Sequence, residues 1–350
     1  MADGPATEPP ATPPDPPAAK PGFLRRHPWL VALTALPILG AALGAAWGVW
    51  KFHAAKGPPT EATVVIPRGS GLRGTAAVLE KAGVIDNPTV FLAGAKLHGA
   101  DRKLKAGEYR IPAHATMRGI VDLLQSGKTV IRRFTIAEGL SVRQVVTLLQ
   151  TEPALTGDPG PMPPEGTLLP ETYHFSLGDS RKAVLGRMQA AMNRQLAALW
   201  ETRAPDLPLQ TPEQALILAS IVEKETGIPA ERPRIAGVFI NRLRKGMPLQ
   251  SDPTIVYGLR GGEPLGRPIL LSELQGDTAY NTYKFVGLPP TPIANPGVDS
   301  LRAVLNPMPT DDLYFVADGT GGHAFAKSYE EHQRNVRYWR ALERRGAAPR

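Results

Sequence analysis

Glu223 and Glu225 close an apolar run, and that placement is where this sequence offers chemistry. Residues 215–222 carry no charge, so a helix through them is apolar almost all round and belongs in a core. An apolar surround disfavours the charged form of a carboxyl, and so does the negative end of a helix dipole. A carboxylic acid still protonated near neutral pH can serve as a general acid. The opposing reading is that both glutamates reach solvent at a frayed helix end. At about 100° per residue the two side chains project about 200° apart, so they do not form one two-carboxylate site. Periodicity does not choose between them, because the helix is apolar on both flanks. Nearness to the helix end favours Glu225 as the group with the raised pKa.

The helix that delivers them carries its own punctuation. Thr211 can cap it, Pro212 suits the first helical position, and Gln214 is placed to complete a capping box. Gly227 is placed to end it in a left-handed residue. Downstream, a helix is expected over 235–243, and upstream an amphipathic one over 183–200, apolar at 184, 185, 188, 191, 192, 196 and 199. Residues 165–173 read as a turn-rich strand pair, and 151–166 as a Pro- and Gly-rich loop. Near the C-terminal end, 313–317 and 323–325 read as a hairpin around Asp318 to Gly322. A Ser328–Glu331 capping box then opens a helix to about 343.

The segment 246–298 is irregular and dense in hydroxyl, amide and aromatic side chains. Loops of that length in a compact domain are usually functional or disordered, and this composition argues against disorder. A groove with aromatic faces and amide donors suits sugars, whose C–H faces pack on rings while hydroxyls take hydrogen bonds. A Pro-rigidified structural loop is the alternative.

Other chemistries find no foothold. The chain has no Cys and its seven His are scattered, with no His-Glu-x-x-His pair, so no metal site or cofactor is expected. There is no Gly-x-Ser-x-Gly elbow, P-loop or dinucleotide glycine motif. Net charge is +8 with a pI near 9.7, which favours anionic partners such as lipid headgroups or peptide-bearing glycan. Basic residues are spread rather than massed on one helix, so nucleic acid is not the expected partner.

With 350 residues the chain has room for about two domains plus accessory segments. Residues 1–28 hold nine prolines and read as a disordered tail. Residues 29–50 carry no charge, and 22 residues suffice for a bilayer core of roughly 30 Å. Trp29, Trp47 and Trp50 sit where interfacial aromatics are expected, and a membrane helix tolerates Pro37. A cleaved signal peptide fits less well, since the run is too long and the basic residues lie far from the start. Arg25, Arg26 and His27 precede the span while Lys51 and Lys56 follow it. The N-terminus is therefore expected in the cytoplasm and the rest outside the plasma membrane. After a stalk at 51–60, three strand–turn–helix units begin at 63, 109 and 133, with a further helix over 88–97. The fold expected is α+β: a transmembrane helix, a small α+β module at 61–130, and a mixed α/β domain at 131–345 with a buried helix at its centre.

The ordered motifs of this chain resemble a known family. They are Ala219 to Thr226, Val238 to Leu243, Gly246-Met247-Pro248-Leu249-Gln250-Ser251-Asp252-Pro253-Thr254, Tyr257-Gly258, Tyr280-Asn281-Thr282-Tyr283, Gly287-Leu288-Pro289-Pro290, Asn295-Pro296-Gly297, Tyr314 to Gly319 and Gly321-Gly322-His323-Ala324-Phe325. Together they resemble the MltG (YceG-like) endolytic murein transglycosylases over most of residues 61–340. Ser251 lies where relatives often carry Thr, which keeps the hydroxyl. The resemblance implies a LysM-like module at 61–130, with Tyr109, Ile111, Thr116 and Ile120 compatible with it. It also implies cleavage of the MurNAc–GlcNAc β-1,4 bond in nascent peptidoglycan, leaving a 1,6-anhydro-MurNAc end. Glu225 corresponds to the family's catalytic glutamate. Asn241, Gln250, Ser251, Asp252, Tyr280, Asn281, Tyr283, Asn295 and His323 are then candidates for substrate contact. Cell-wall synthases are the implied protein partners. The alternatives are a non-catalytic peptidoglycan-binding scaffold, and a hydrolase pairing Glu225 with Asp252.

Overall fold

The computed structural model describes residues 28–344. The expected disordered tail, 1–28, lies outside them except for its last residue. Two compact units divide the chain, the first ending at Lys128 and the second beginning at Thr129.

The first unit opens with α1 (Pro28–His53), an apolar helix containing Pro37. Leu36, Leu39, Leu43, Trp47 and Trp50 along it are all exposed. Residues Ala35–His53 are long and apolar enough to cross a membrane by length and composition. The helix runs three residues past the end of the apolar run because Phe52 is drawn into the unit's core. Gly94 makes room for it: a Cβ there would overlap the Phe52 ring. β1 (Ala62–Ile66) pairs antiparallel with β2 (Gly107–Ile111), placing Val64 opposite Tyr109. Between them lie α2 (Leu72–Lys81) and α3 (Pro88–Leu97), and after them α4 (Met117–Ser126). Asn87 and Thr116 cap α3 and α4, and Gly127 ends α4 in a left-handed turn. Alternate residues of the strands and one face of each helix supply the core, with Leu79, Phe91, Ile111 and Leu124 fully buried.

In the second unit, β3 (Arg132–Thr135) pairs antiparallel with β5 (Thr172–Phe175). The pair expected inside 165–173 is thus corrected: that segment supplies one strand, and its partner lies some forty residues earlier in the chain. α5 (Val142–Thr151) begins at the Ser141–Gln144 capping box. The two-residue strands β4 (Leu155–Thr156) and β6 (Asp179–Ser180) pair in parallel, and α6 (Arg181–Glu201) follows. α7 (Pro212–Glu225) is the central helix, with every residue from Ala215 to Val222 buried. α8 (Arg232–Arg244) and α11 (Val298–Leu305) share its core: Leu218 and Val222 meet Ile235, Phe239, Leu301 and Val304. The segment expected to be irregular contains α9 (Asp252–Arg260) and the single turn α10 (Leu271–Leu274). A hairpin of β7 (Tyr314–Ala317) and β8 (His323–Ala326) and the closing helix α12 (Tyr329–Arg344) complete the unit.

The ends of α7 depart from the sequence reading. Thr211 caps the helix through the Gln214 N–H, but the Gln214 side chain accepts from Gln210 N rather than from Thr211. At the other end Gly227 is not left-handed. Thr226 is already extended, with φ −143° and ψ 137°. Its hydroxyl holds it there, accepting from Ile228 N at 3.0 Å and donating to Glu231 at 3.2 Å.

Candidate active site

The two glutamates of α7 have different fates. The Glu223 side chain is only 4% exposed. Its Oε2 accepts from Gly297 N at 2.9 Å and Ser300 Oγ at 2.7 Å, at the start of α11. Its Oε1 accepts from Arg232 Nη2 at 3.1 Å, and the same nitrogen reaches Glu138 at 2.9 Å. Glu223 therefore ties α7 to α8 and α11 with both oxygens occupied, a buried charge compensated by an Arg and by helix N-terminal donors.

Glu225, the last helical residue, keeps part of its surface open. Burial of its carboxyl pushes the pKa up to about 7; the Ser251 hydrogen bond opposes this, the Asp252 charge adds to it, and the Arg242 charge opposes it. Ser251 Oγ donates to Glu225 Oε1 at 2.5 Å. Ser251 occupies the N-cap position of α9, where a serine normally satisfies an orphan helix N–H, yet its side chain caps nothing. Its hydroxyl is spent on Glu225 instead. Ser251 N donates to Thr282 Oγ1 at 3.0 Å, and Gln250 N to Thr282 O at 2.9 Å, so the loop after α10 fixes this strand of chain.

Asp252 Oδ1 accepts from the Tyr283 hydroxyl at 2.5 Å. Burial, then Asp252, then Glu225 raise the Tyr283 phenol's pKa, so it stays a donor. Arg242, buried on α8, donates through Nε to Leu313 O at 2.7 Å and through Nη1 to Leu249 O at 2.9 Å and Gln250 Oε1 at 3.2 Å. Its guanidinium also lies over the Tyr314 ring, 5.3 Å from the centroid. Gln250, gripped this way, sits at φ +52°, in the left-handed region that a non-glycine residue rarely adopts. Such strain persists only where the surroundings enforce it.

The structure thus brings Glu225, Gln250, Ser251, Asp252 and Tyr283 together, and adds Arg242 and Thr282. Three of the candidates for sugar contact hold their amides on the protein's own backbone. Asn281 is buried, with Nδ2 donating to Leu274 O and Gly276 O and Oδ1 accepting from Tyr283 N. Asn295, fully buried, braces Leu168 N and Leu140 O. Asn241 donates to Thr310 O and Asp312 O, beside a cavity of about 750 Å³ whose lining does not include Glu225. Their amides are spent on the backbone of the loops they shape. Tyr280 hydrogen-bonds Thr291, and its ring packs on Tyr257, 4.9 Å between centroids. His323 pairs with Glu231 at 2.7 Å, and Glu231 in turn accepts from Thr226, so that pair supports the exit from α7. Burial opposes ionisation of Glu231, but the His323 hydrogen bonds outweigh it and hold its carboxyl below the usual range.

Two residues escaped the sequence reading. Arg242 looks like an ordinary helix-end cation, and only its position beside Asn241 in a recognisable motif hinted at more. Glu165 gave no signal. Burial raises its pKa, opposed by the N–H of Val142 and the Tyr257 hydroxyl, which donate to it at 2.8 and 3.1 Å. Among the described residues no group of three or more His, Asp or Glu is placed to hold a metal. The arrangement offers one carboxyl that can give and take a proton near neutrality, while the neighbouring carboxylate, Asp252, is occupied by a phenol.

The sequence profile of the YceG-like family matches residues 64–338. A protein of Bacillus subtilis named endolytic murein transglycosylase is 32% identical over 312 residues, covering 80% of this chain and 85% of its own length. One of the same name from Streptococcus pneumoniae is 33% identical over 325 residues, 78% of this chain and 57% of that protein. The crystal structure of a YceG-like protein of Listeria monocytogenes is 32% identical, with a TM-score of 0.48, covering 79% of this chain and 99% of the other. With a match running from β1 into α12, this chain belongs to the YceG-like family.

Proposed function

We propose that this chain is a membrane-anchored lytic transglycosylase that cuts the MurNAc–GlcNAc β-1,4 bond within peptidoglycan strands and leaves 1,6-anhydro-MurNAc ends. The observation that carries this reading is the Glu225 carboxyl, desolvated to a pKa of about 7 and held by Ser251. Ordinary glycosidases use two carboxylates, one as acid and one to activate water or attack carbon. Here Asp252 is engaged by Tyr283, which leaves Glu225 without a partner carboxylate. An intramolecular transfer needs none. Glu225 gives its proton to the glycosidic oxygen as the C–O bond breaks, and the sugar's own 6-hydroxyl bonds to the anomeric carbon. That hydroxyl's proton passes to Glu225, which returns to its starting state. Holding the hydroxyl against the carbon supplies the effective-molarity advantage. Ser251 steadies Glu225 between the two proton transfers, and Gln250 and Tyr283 are the side chains beside it available to orient the sugar.

Support for anchoring comes from the exposed apolar surface of α1. The span 29–50 would hold the protein in the plasma membrane with the N-terminus in the cytoplasm and the chain after the span outside it. Support for a glycan-binding, LysM-like first unit comes from its antiparallel β1–β2 pair enclosing α2 and α3. Digestion of purified peptidoglycan by the full chain, with product masses read by mass spectrometry, tests the chemistry. Anhydro ends support it, reducing ends would show hydrolysis, and no new ends would leave a binding scaffold.

A further inference from the structure

Within the first unit an open apolar groove of about 390 Å³ lies between the C-terminal half of α1 and α3. Gly44, Ala45, Gly48 and Val49 form one wall, Ala93 and Leu97 the other. Phe52, packed on Gly94, joins the two walls. A Cβ at Gly44 or Gly48 would meet nothing within 4 Å, so among the described residues no side chain fills the furrow there.

We propose that the groove seats one acyl chain of an anionic phospholipid, represented by phosphatidylglycerol; the proposal rests on the reading of α1 as a bilayer span. The level is right for it. The groove runs along the last turns of the apolar span Ala35–His53. Trp47 and Trp50 stand exposed beside it, with Lys51 and Lys56 stacked over their rings at 5.1 and 4.9 Å, an arrangement suited to the headgroup zone. Leu97, on the rim, is 83% exposed, and a bilayer would cover it.

The polar end of the groove suits a phosphate. His53 and His98 both line it, and Arg118 Nη1 donates to His98 Nδ1, which leaves His98 Nε2 as the ring's free donor. Between residues 51 and 128 the chain carries twelve Lys and Arg against six Asp and Glu, so an anionic surface attracts the whole unit. A second copy of α1 is the competing occupant, since Gly40, Gly44 and Gly48 form a small-residue stripe of the kind that lets helices approach closely. However, α3 walls the stripe at Gly48, and an approaching helix roughly 10 Å across needs far more room than the groove leaves.

The test uses the full chain, solubilised in mild detergent, exchanged against phosphatidylglycerol or phosphatidylcholine, and weighed by native mass spectrometry. One retained phosphatidylglycerol per chain is expected, with at least ten-fold less phosphatidylcholine. Gly48→Phe with Ala93→Phe should lower phosphatidylglycerol retention ten-fold or more, while circular dichroism and flotation with vesicles after an alkaline wash stay as in the parent. No retained lipid, equal retention by the filled variant, or a lipid-free dimer that Gly48→Phe dissociates would overturn the proposal. Failure to float would instead refute the bilayer span itself.

Discussion

Replacing Glu225 by Gln should make the second unit more stable at alkaline pH while removing its chemistry. Burial raises the carboxyl from the usual 4.5 to about 7. In the window between these values the native state holds a proton that the unfolded chain has released. Stability from this group is therefore full below about 4.5, falls as pH rises, and is lost above about 7. One pKa unit is about 1.36 kcal/mol, so the loss approaches about 3 kcal/mol, less whatever solvent at the partly open site screens. Glutamine has the same shape, still accepts from Ser251, and does not titrate. Urea unfolding of both proteins at pH 5 and pH 8 gives a difference of differences in which every other titrating group cancels. The variant should gain about 2–3 kcal/mol on the parent between those two pH values. A gap that stays constant, or that closes as pH rises, would refute the claim that Glu225 is held protonated by its surroundings.

Three further outcomes follow from the same contacts. Ser251→Ala removes a hydrogen bond to the ionised carboxyl worth about 1.5–3 kcal/mol, so the alkaline limb of the kcat/KM profile should move up by about one to two pH units, and Ser251→Thr should restore it; an unmoved limb counts against a Ser251 role. Arg242→Met leaves the carbonyls of Leu249 and Leu313 unpaired and removes a cation near Glu225, so thermal unfolding should fall by roughly 2–4 kcal/mol, with the alkaline limb again moving up. Glu223→Gln weakens a buried tie to Arg232, Gly297 and Ser300 and should cost about 3 kcal/mol or more, while the folded fraction at low temperature still makes product. Loss of product from folded Glu223→Gln protein would mean that the two glutamates have been assigned the wrong way round.

Much of this arrangement was legible because α7 carries local signals: a Thr cap, a Pro at the first position and an unbroken apolar run. Its exit was not legible. Gly227 carries the usual stop signal, but the tertiary contact of Thr226 with Glu231 bends the chain one residue earlier. α9 stayed hidden because Pro253 and Gly258 make a nine-residue helix look like loop, and Pro at the second helical position costs nothing there. The three asparagines show a limit of residue type. An amide serves a sugar hydroxyl or a backbone carbonyl equally well, and the sequence does not show that the fold engages each of these three with backbone groups. Arg242 shows the converse, since nothing local distinguishes a solvated helix-end cation from one folded under Tyr314.

The central claim is that Glu225 alone serves as acid and then base in an intramolecular transfer. Mass spectrometry of peptidoglycan digested by the parent and by Glu225→Gln tests it most directly. The prediction is 1,6-anhydro-MurNAc ends from the parent and none from the variant; reducing ends from the parent, or anhydro ends from the variant, would contradict it.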